Sequence, residues 1–365
     1  MRVAQISPTY FDRDSILGGG ERFVLELARS LAVNVPVTII TFSKPDLRPT
    51  VRSEGALEIR SYPAVRFLKG NRANPLSAAF LKDLRSFDCI HCHGYPNAIT
   101  DLSILFAKLF RKKVFITDHH SGGVCASTYL SKLGIDTRRL IDGFLLLSEH
   151  NAQQYKSFQA RARVIGAGVD SDHFYPQDIP RERRALFVGR LISVKGIDYL
   201  IEAVDRDIPL RVIGPSYDDR YFEHLQQLAV GKRVEFRTHA SENELIREYA
   251  SALVTVLPSV YRDRYGTVTS GELLGLVALE SMACGTPVIA TRCGGLPETI
   301  EDGVSGFLVP PNDPAALREK ICFLFDRPEI ARAMGEAGRK RVVNDFRWKA
   351  VAKRCMDVYT EALQR

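Results

Sequence analysis

Nowhere does the sequence run through the roughly 20 consecutive apolar residues that a membrane-spanning helix needs, which excludes a helical span. It also has no arginine-rich tail and no RNA-binding aromatic signature, so nucleic acid is not an expected partner. The opening Met1-Arg2-Val3-Ala4-Gln5-Ile6 lacks the longer apolar core and small-residue cleavage site of an export signal and reads as a first buried strand; a cytoplasmic protein is the expectation. The seven cysteines are odd in number and scattered, which makes no disulfide framework and fits a reducing compartment. One group, Cys89-Ile90-His91-Cys92-His93, formally matches a covalent haem motif. It follows Phe87-Asp88 and reads as a strand, with Cys89, His91 and His93 facing one way and Cys92 the other. Opposed thiols cannot share a haem or a metal, so neither is expected there.

What is present is the composition of a soluble globular protein, 45% hydrophobic and 25% charged over 365 residues, long enough for two domains. The net charge of +7 is a moderate excess that suits phosphorylated substrates or an anionic membrane surface. Apolar runs near residues 2–6, 36–42, 57–62, 88–92, 113–117 and 144–148 alternate with helical patterns near 20–32, 76–86, 97–110 and 149–158. Strand-like runs near 185–189, 210–214, 233–237, 253–257, 286–290 and 306–309 continue the alternation, with no sequence repeat between the halves. This is the pattern of an α/β protein with two doubly wound parallel sheets. The polar stretch 177–184 reads as the linker between them.

The most informative stretch runs from Glu272 to Glu298. Glu272 and Glu280 are eight residues apart, with Gly275 between them and an apolar run from Leu276 to Leu279, which predicts a loop turning into a helix at Gly275. Helix starts have unpartnered N–H groups and a positive dipole end, a ready place for a phosphate. Glu280 lies beyond the first turn and suits a ribose diol instead. Thr286-Pro287-Val288-Ile289-Ala290-Thr291 reads as a buried parallel strand, and Gly294-Gly295 before Pro297-Glu298 as a second tight loop entering a helix. Two phosphate-facing helix starts at adjacent strand ends suggest a nucleotide.

As a whole this string resembles the donor-site signature of the retaining GT-B glycosyltransferases of family 4, in which two glutamates bracket seven residues and a Gly/Pro/Val strand follows. The resemblance implies two Rossmann-like domains facing across a cleft. Residues 1–168 would form the acceptor domain, joined by a returning C-terminal helix over 347–365 that carries the single tryptophan near the crossing; residues 169–346 would bind the nucleotide sugar. The resemblance implies a UDP- or GDP-linked donor and a glycan or lipid-linked hydroxyl as acceptor, in cell-surface polysaccharide synthesis. No cofactor is expected and no metal is expected to be required.

Site residues follow from the same resemblance. Val188-Gly189-Arg190-Leu191 and then Lys195-Gly196 place two cations at a strand-to-helix junction, Arg190 and Lys195, suited to clamping a diphosphate, with Gly189 beside them. Glu272 with the amides around Leu274, Gly275 and Leu276 would position donor sugar and phosphate, and Glu280 the ribose. Gly18-Gly19-Gly20-Glu21-Arg22 opens a helix after the first strand, where Gly19 and Gly20 let a backbone approach the donor phosphates and Glu21 lies on the acceptor side. Its spacing is not the dinucleotide fingerprint, since position 23 is Phe. Thr117-Asp118-His119-His120 closes a strand and leads to Ser121-Gly122-Gly123; in the resemblance His119 contacts the donor sugar. His93, at another strand end, is a second acceptor-side candidate.

Some features depart from the family or fall outside it. Ala167-Gly168-Val169-Asp170 carries alanine where relatives usually have asparagine, and His120 stands where a small residue is common. Residues 260–271 form an insertion whose Arg262, Asp263 and Arg264 either touch a ligand or solvate a longer loop. Arg66, Lys69 and Arg72 precede a helix, and Lys108, Arg111, Lys112 and Lys113 end another; the latter suit helix capping, and the basic face as a whole suits peripheral contact with anionic lipid. A nucleotide-sugar epimerase or a non-catalytic sugar-nucleotide-binding protein would share the fold; the full set of Arg190, Lys195, Glu272 and Glu280 favours the transferase.

Overall fold

A computed structural model describes residues 1–8, 19–71, 74–119, 130 and 134–365. Gly18, Arg72, His120 and the loop 121–123 singled out in the sequence lie outside these. The described chain divides into two compact units, Met1–Gly168 with Trp348–Arg365, and Val169–Arg347.

In the first unit, β1 (Val3–Ile6), α1 (Gly19–Ala32), β2 (Val37–Ser43), β3 (Thr50–Glu54), β4 (Leu57–Pro63), β5 (Arg66–Phe67), β6 (Pro75–Leu76), β7 (Cys89–His93), α2 (Ala98–Leu109), β8 (Lys113–Thr117), β9 (Gly143–Leu146), α3 (Glu149–Gln153) and β10 (Ala162–Val164) follow in order. Among the described residues, eight strands form one sheet in the order β10-β9-β8-β7-β1-β2-β4-β3, parallel except for β3. The antiparallel β3 was not foreseen, because its five exposed residues carry no apolar periodicity. The helix expected over 76–86 is instead β6 followed by a 3₁₀ segment, Leu81–Ser86; Pro75 offers no N–H, and Ser77 turns back to the Pro63 carbonyl at 3.1 Å. The helix expected over 149–158 ends at Gln153 and continues as 3₁₀. Buried Val, Ile, Leu and Phe on both faces of the central strands form the core, with Phe42, Phe80, Phe87 and Phe144 among its largest members.

The second unit contains β11 (Glu182–Val188), α4 (Ile197–Ala203), β12 (Leu210–Ile213), α5 (Asp219–Leu228), β13 (Val234–Arg237), α6 (Glu242–Ser251), β14 (Ala252–Leu257), α7 (Leu276–Ala283), β15 (Val288–Thr291), α8 (Leu296–Thr299), β16 (Gly306–Val309), α9 (Pro314–Phe325) and α10 (Pro328–Asp345). Its sheet is all parallel, in the order β13-β12-β11-β14-β15-β16. The strand order reverses between β11 and β14, and ligands in open α/β sheets bind at the carboxyl ends of strands flanking such a reversal. In the first unit the reversal falls between β1 and β7.

The expected linker is overturned. Glu182 already begins β11, and Arg181 donates to the carbonyls of Ala252 and Gly285 and to Thr286 Oγ1. Arg184 is 5% exposed and meets Glu248 at 2.8 Å, which also receives Arg211 at 2.7 Å. A buried carboxylate gathers cations from neighbouring strands, so Arg184, in a polar run, is a core residue.

The last helix, α11 (Trp348–Gln364), belongs to the first unit and packs on α1. Trp348 lies against Phe23 at 5.2 Å and against Gly168, where a Cβ would come within 2.8 Å of the Trp348 amide nitrogen.

Candidate functional site

In the second unit, β11 ends at Val188, and Arg190 follows, exposed. A 3₁₀ turn, Ser193–Lys195, then runs into Gly196, whose φ of +68° is the left-handed region. A side chain at 196 would bring its Cβ to 2.0 Å from the Pro258 carbonyl oxygen. Only glycine lets the turn after β11 lie against the end of β14. That contact sets Lys195 beside Ser259 and Glu272. Lys195 Nζ pairs with Glu272 Oε1, and Ser259 Oγ donates to the same oxygen at 2.6 Å.

Burial is the largest influence on the Glu272 carboxyl and pushes its pKa up. The charge and hydrogen bond of Lys195, the hydroxyl of Ser259 and the charge of Arg190 outweigh it and hold the group below the usual carboxylate range. Glu272 is therefore an anion at neutral pH, held by two cations that a diphosphate could also use.

The second glycine loop serves this glutamate. Gly294 has φ +64°, and a Cβ there would lie 2.0 Å from the Glu272 carbonyl oxygen; the Gly295 amide donates to that oxygen at 2.7 Å, and the Gly294 amide to Tyr261 Oη at 2.8 Å. These amides are committed to the protein, and α8 is a single four-residue turn. The expectation of two phosphate-facing helix starts is thus corrected to one. That one is α7, entered at Gly275 with no side-chain cap; the Ala278 amide already bonds to the Gly275 carbonyl at 2.9 Å, which leaves the first two N–H groups, of Leu276 and Val277, for an anion. Leu274 is buried, its carbonyl held by Thr299 Oγ1 at 2.6 Å, and Leu276 begins the helix. Glu280, one turn further, is 6% exposed and accepts from Tyr249 Oη at 2.9 Å, so this carboxylate is already oriented.

In the first unit, Gly19 and Gly20 begin α1 at the β1 end of the strand reversal, with Glu21 in the first turn, where a carboxylate favours the helix dipole. His119 follows β8, and a Cβ on Gly20 would touch its side chain at 3.6 Å. Phe23 packs edge-on against His119 at 4.9 Å. His93 Nδ1 lies 3.1 Å from His119 Nε2, the two rings stacked with centroids 5.3 Å apart. His93 itself is 2% exposed, which corrects the expectation that it touches an acceptor: it stands behind His119.

The imidazoles form an ordered series whose protons can be assigned. Thr117 Oγ1 donates to the Leu145 carbonyl at 2.9 Å, so it accepts from His91 Nε2 at 2.8 Å; Tyr359 Oη then donates to His91 Nδ1 at 2.7 Å. His93 Nε2 is buried without a partner among the described residues. A buried lone pair is cheaper to leave unmatched than an N–H, which puts the His93 proton on Nδ1, donating to His119 Nε2. Burial, and then the neighbouring histidine charges, push His91 down to about 3 and His93 well below its ordinary value, so both stay neutral.

The described residues include no group of His, Cys, Asp or Glu able to hold a metal ion. Cys89 contacts Met1 Sδ at 3.8 Å while Cys92 lies on the opposite face of β7, beneath Ser103.

Residues 17–173 match the family model for Glycosyltransferase Family 4, and residues 171–341 that for Glycosyl transferases group 1. The chain is a family 4 glycosyltransferase. Similar proteins include the D-inositol 3-phosphate glycosyltransferases of Streptomyces avermitilis, 28% identical over 100% of this chain and 88% of the relative, and of Corynebacterium glutamicum, 29% identical over 100% and 97%. Among solved structures, sucrose-phosphate synthase of Thermosynechococcus elongatus is 26% identical with a TM-score of 0.74, covering 100% and 99% of the two chains. The Anabaena protein HepE in complex with UDP and glucose shares the fold at TM-score 0.76 and 16% identity, covering 99% and 100%.

Several working residues of this glycosyltransferase went unnoticed in the sequence: Ser259, Tyr249, Tyr261 and Phe23. Pro258-Ser259 at a strand's carboxyl end was a usable signal for the first; the others are aromatic residues indistinguishable from core. The insertion also resolves. Asp263 is 5% exposed and accepts from the Tyr265 and Thr267 amides at 2.9 and 2.7 Å and from Ser193 Oγ, in the turn that carries Lys195. Arg264 grips α4 through Asp198 and Glu202 and stacks over Tyr199 at 4.2 Å. Both make contacts within the protein; Arg262 is exposed.

Proposed function

We propose that this glycosyltransferase moves a sugar from a nucleoside-diphosphate sugar, UDP- or GDP-linked, to an acceptor hydroxyl with retention at the anomeric carbon. The observation that carries the reading is the convergence of Arg190, Lys195, Ser259 and Glu272 at the strand reversal of the second unit, beside the uncapped start of α7. In it Arg190 and Lys195 stabilise negative charge as it develops on the leaving diphosphate, and the first amides of α7 share that load. As Lys195 turns toward phosphate, Glu272, kept ionised and held by Ser259, gains free lone pairs for hydroxyls of the donor sugar. Glu280, oriented by Tyr249, accepts from the ribose diol. His119, backed by His93, offers a hydrogen bond to the sugar from the first unit.

No side chain of this set is proposed as a covalent nucleophile; the acceptor attacks on the face the diphosphate leaves, and the leaving phosphate takes its proton. The acceptor is a phosphorylated polyol, a glycan or a lipid-linked glycan. The first of these draws on the inositol 3-phosphate named for two similar proteins, the others on the family resemblance. The cationic field of Arg190 and Lys195 makes a catalytic metal unnecessary.

The test is nucleotide release across UDP-, GDP- and ADP-sugars, with inositol 3-phosphate or mixed glycans as acceptor, with and without chelator. Release from one donor that depends on acceptor, survives chelation and collapses in Glu280→Ala supports the reading. Release that needs no acceptor, or silence across all donors, sinks it.

A further inference from the structure

The carboxyl ends of the first unit's strands hold Gly20, His93 and His119; the opposite, amino ends hold a second feature that the transferase reading leaves unused. There a cavity of about 440 Å³ opens between the starts of β8, β9 and β10 and the last turns of α11. Its wall carries Lys108, Lys113, Arg139, Arg161, Arg163 and Arg365 against the carboxylates Asp142 and Glu361. Lys108 pairs with Asp142, and Arg365 with Glu361. Arg161 donates to the carbonyls of Arg138, Arg139 and Ile141, at 3.4, 3.2 and 2.5 Å, and Arg163 to those of Ala160 and Ala162. Among the described residues, Lys113, Arg161 and Arg163 have no carboxylate partner. Arg139 reaches Asp136 only at 3.7 Å with its side chain 84% exposed, and that carboxylate is already held by Arg138 at 2.7 Å.

Four cations thus converge on one concave site with no matching negative charge, an arrangement that costs Coulomb energy in the free protein and is relieved by an anion. The floor is apolar, formed by Phe115, Ile141 and Val358, while Leu140 stands at the rim 36% exposed. A cationic wall over an apolar floor fits a phosphate that carries an organic group. We propose that this cavity binds a phosphate-bearing ligand, at a site separate from the donor site. Lys113 begins β8 and His119 follows its end, so the two ends of the sheet lie about 20 Å apart at roughly 3.3 Å per residue. The chemistry is that of a phosphate monoester or diester, from a soluble phosphorylated compound or from an anionic lipid headgroup.

Lys113→Glu with Arg139→Glu removes two cations that hold no part of the fold; Arg161, which ties three carbonyls together, is left in place. Lys113→Gln with Arg139→Gln is the milder pair should the reversal disturb folding. Because the donor site would also take phosphate, binding is measured on the full chain carrying Lys195→Ala. The probes are inorganic pyrophosphate and glycerol 3-phosphate by calorimetry, and phosphatidylcholine vesicles with and without phosphatidylglycerol by co-sedimentation. The expected result is binding of at least one probe, weakened roughly tenfold or more by either pair and abolished by molar salt. Binding of the soluble phosphates identifies a metabolite site, and binding only of the phosphatidylglycerol vesicles a headgroup site. No binding of any probe, or binding indifferent to both pairs, overturns the proposal. Nucleotide release by the Lys113/Arg139 pairs in otherwise native protein stays near the native rate, so failure of the transferase reading appears in turnover and failure of this one in binding.

Discussion

The two units meet the same architectural problem, a ligand crevice at the carboxyl ends of a parallel sheet, with opposite chemistry. The second unit builds its crevice from ions: Lys195 and Arg190 around Glu272, with an uncapped helix start. The first builds its own from rings, neutral His91 and His93 with His119 and Phe23; Thr117 and Tyr359 orient His91, and His93 bonds to His119. Charge suits a leaving group that gains charge, and an oriented ring nitrogen suits sugar hydroxyls. One fold therefore divides the work by which side chains stand at the strand ends.

The sharpest way to break this contrast is to remove charge from the ionic crevice. Arg190→Ala is expected to lower turnover by about 10²- to 10³-fold, measured as nucleotide release. Its thermal midpoint should move little, because Arg190 is exposed; an unfolded variant would refute the assignment. Lys195→Ala should match that loss, and it should also raise the Glu272 pKa, because the burial that pushes it up then acts with a main opposing cation gone.

Next in size is the backbone that holds Glu272. Gly294→Ala puts a Cβ into its carbonyl at a positive φ and should cost about 2–3 kcal/mol in denaturant unfolding, with turnover falling alongside. Native stability in that variant would mean that the loop is free to move away and does not lock the glutamate.

In the ring-built crevice, the contrast sharpens as a pH dependence. His91 and His93 are depressed below the ordinary 6.5, by burial first and histidine charges second. Below about pH 6.5 the unfolded chain binds protons that the folded chain does not, so their contribution is complete above that pH and lost as pH falls, for His91 down to about 3, by up to about 1.4 kcal/mol per pH unit for each. His91→Gln should flatten the fall by one proton's worth; an unchanged slope in urea titrations at several pH values would contradict the neutral assignment. The Glu272 carboxylate works in the same direction at lower pH, its contribution being present above about 4.5 and lost below it. Its weight can be separated with Glu272→Gln.

The smallest effect tests the insertion. Arg264→Ala removes two ion pairs, to Glu202 and to the buried Asp198, and a stacking contact, and should cost about 1–2 kcal/mol of stability while leaving nucleotide release near native. A large loss of turnover would return this loop to the ligand.

Much of the fold was legible because burial writes itself into local composition. Central strands such as 113–117 and 253–257 are short apolar runs between helical patterns, and each appears where expected. The errors fall where that rule weakens: β3 is exposed on all five residues, and β11 begins inside a polar run because its buried Arg184 is neutralised by Glu248 from a helix more than 60 residues away. In the second unit, Lys195, Glu272 and Gly275 could be picked out by their spacing relative to strand ends, since the strand-to-helix turn is a local event. Ser259, Tyr249 and Tyr261 could not.

By itself, then, the sequence determined the alternation of strands and helices, the glycines on which tight turns depend, and the placement of cations and glutamates just beyond strand ends, all properties of neighbours along the chain. Only the tertiary structure decided that Gly294 and Gly295 serve Glu272 and not a phosphate, that His93 supports His119 from behind, and that six cations from α2, β8, β10, the segments before β9 and β10, and the residue after α11 share one cavity. Those outcomes depend on which distant backbones and side chains come within hydrogen-bond or Coulomb range, and strand order, not local composition, sets that range.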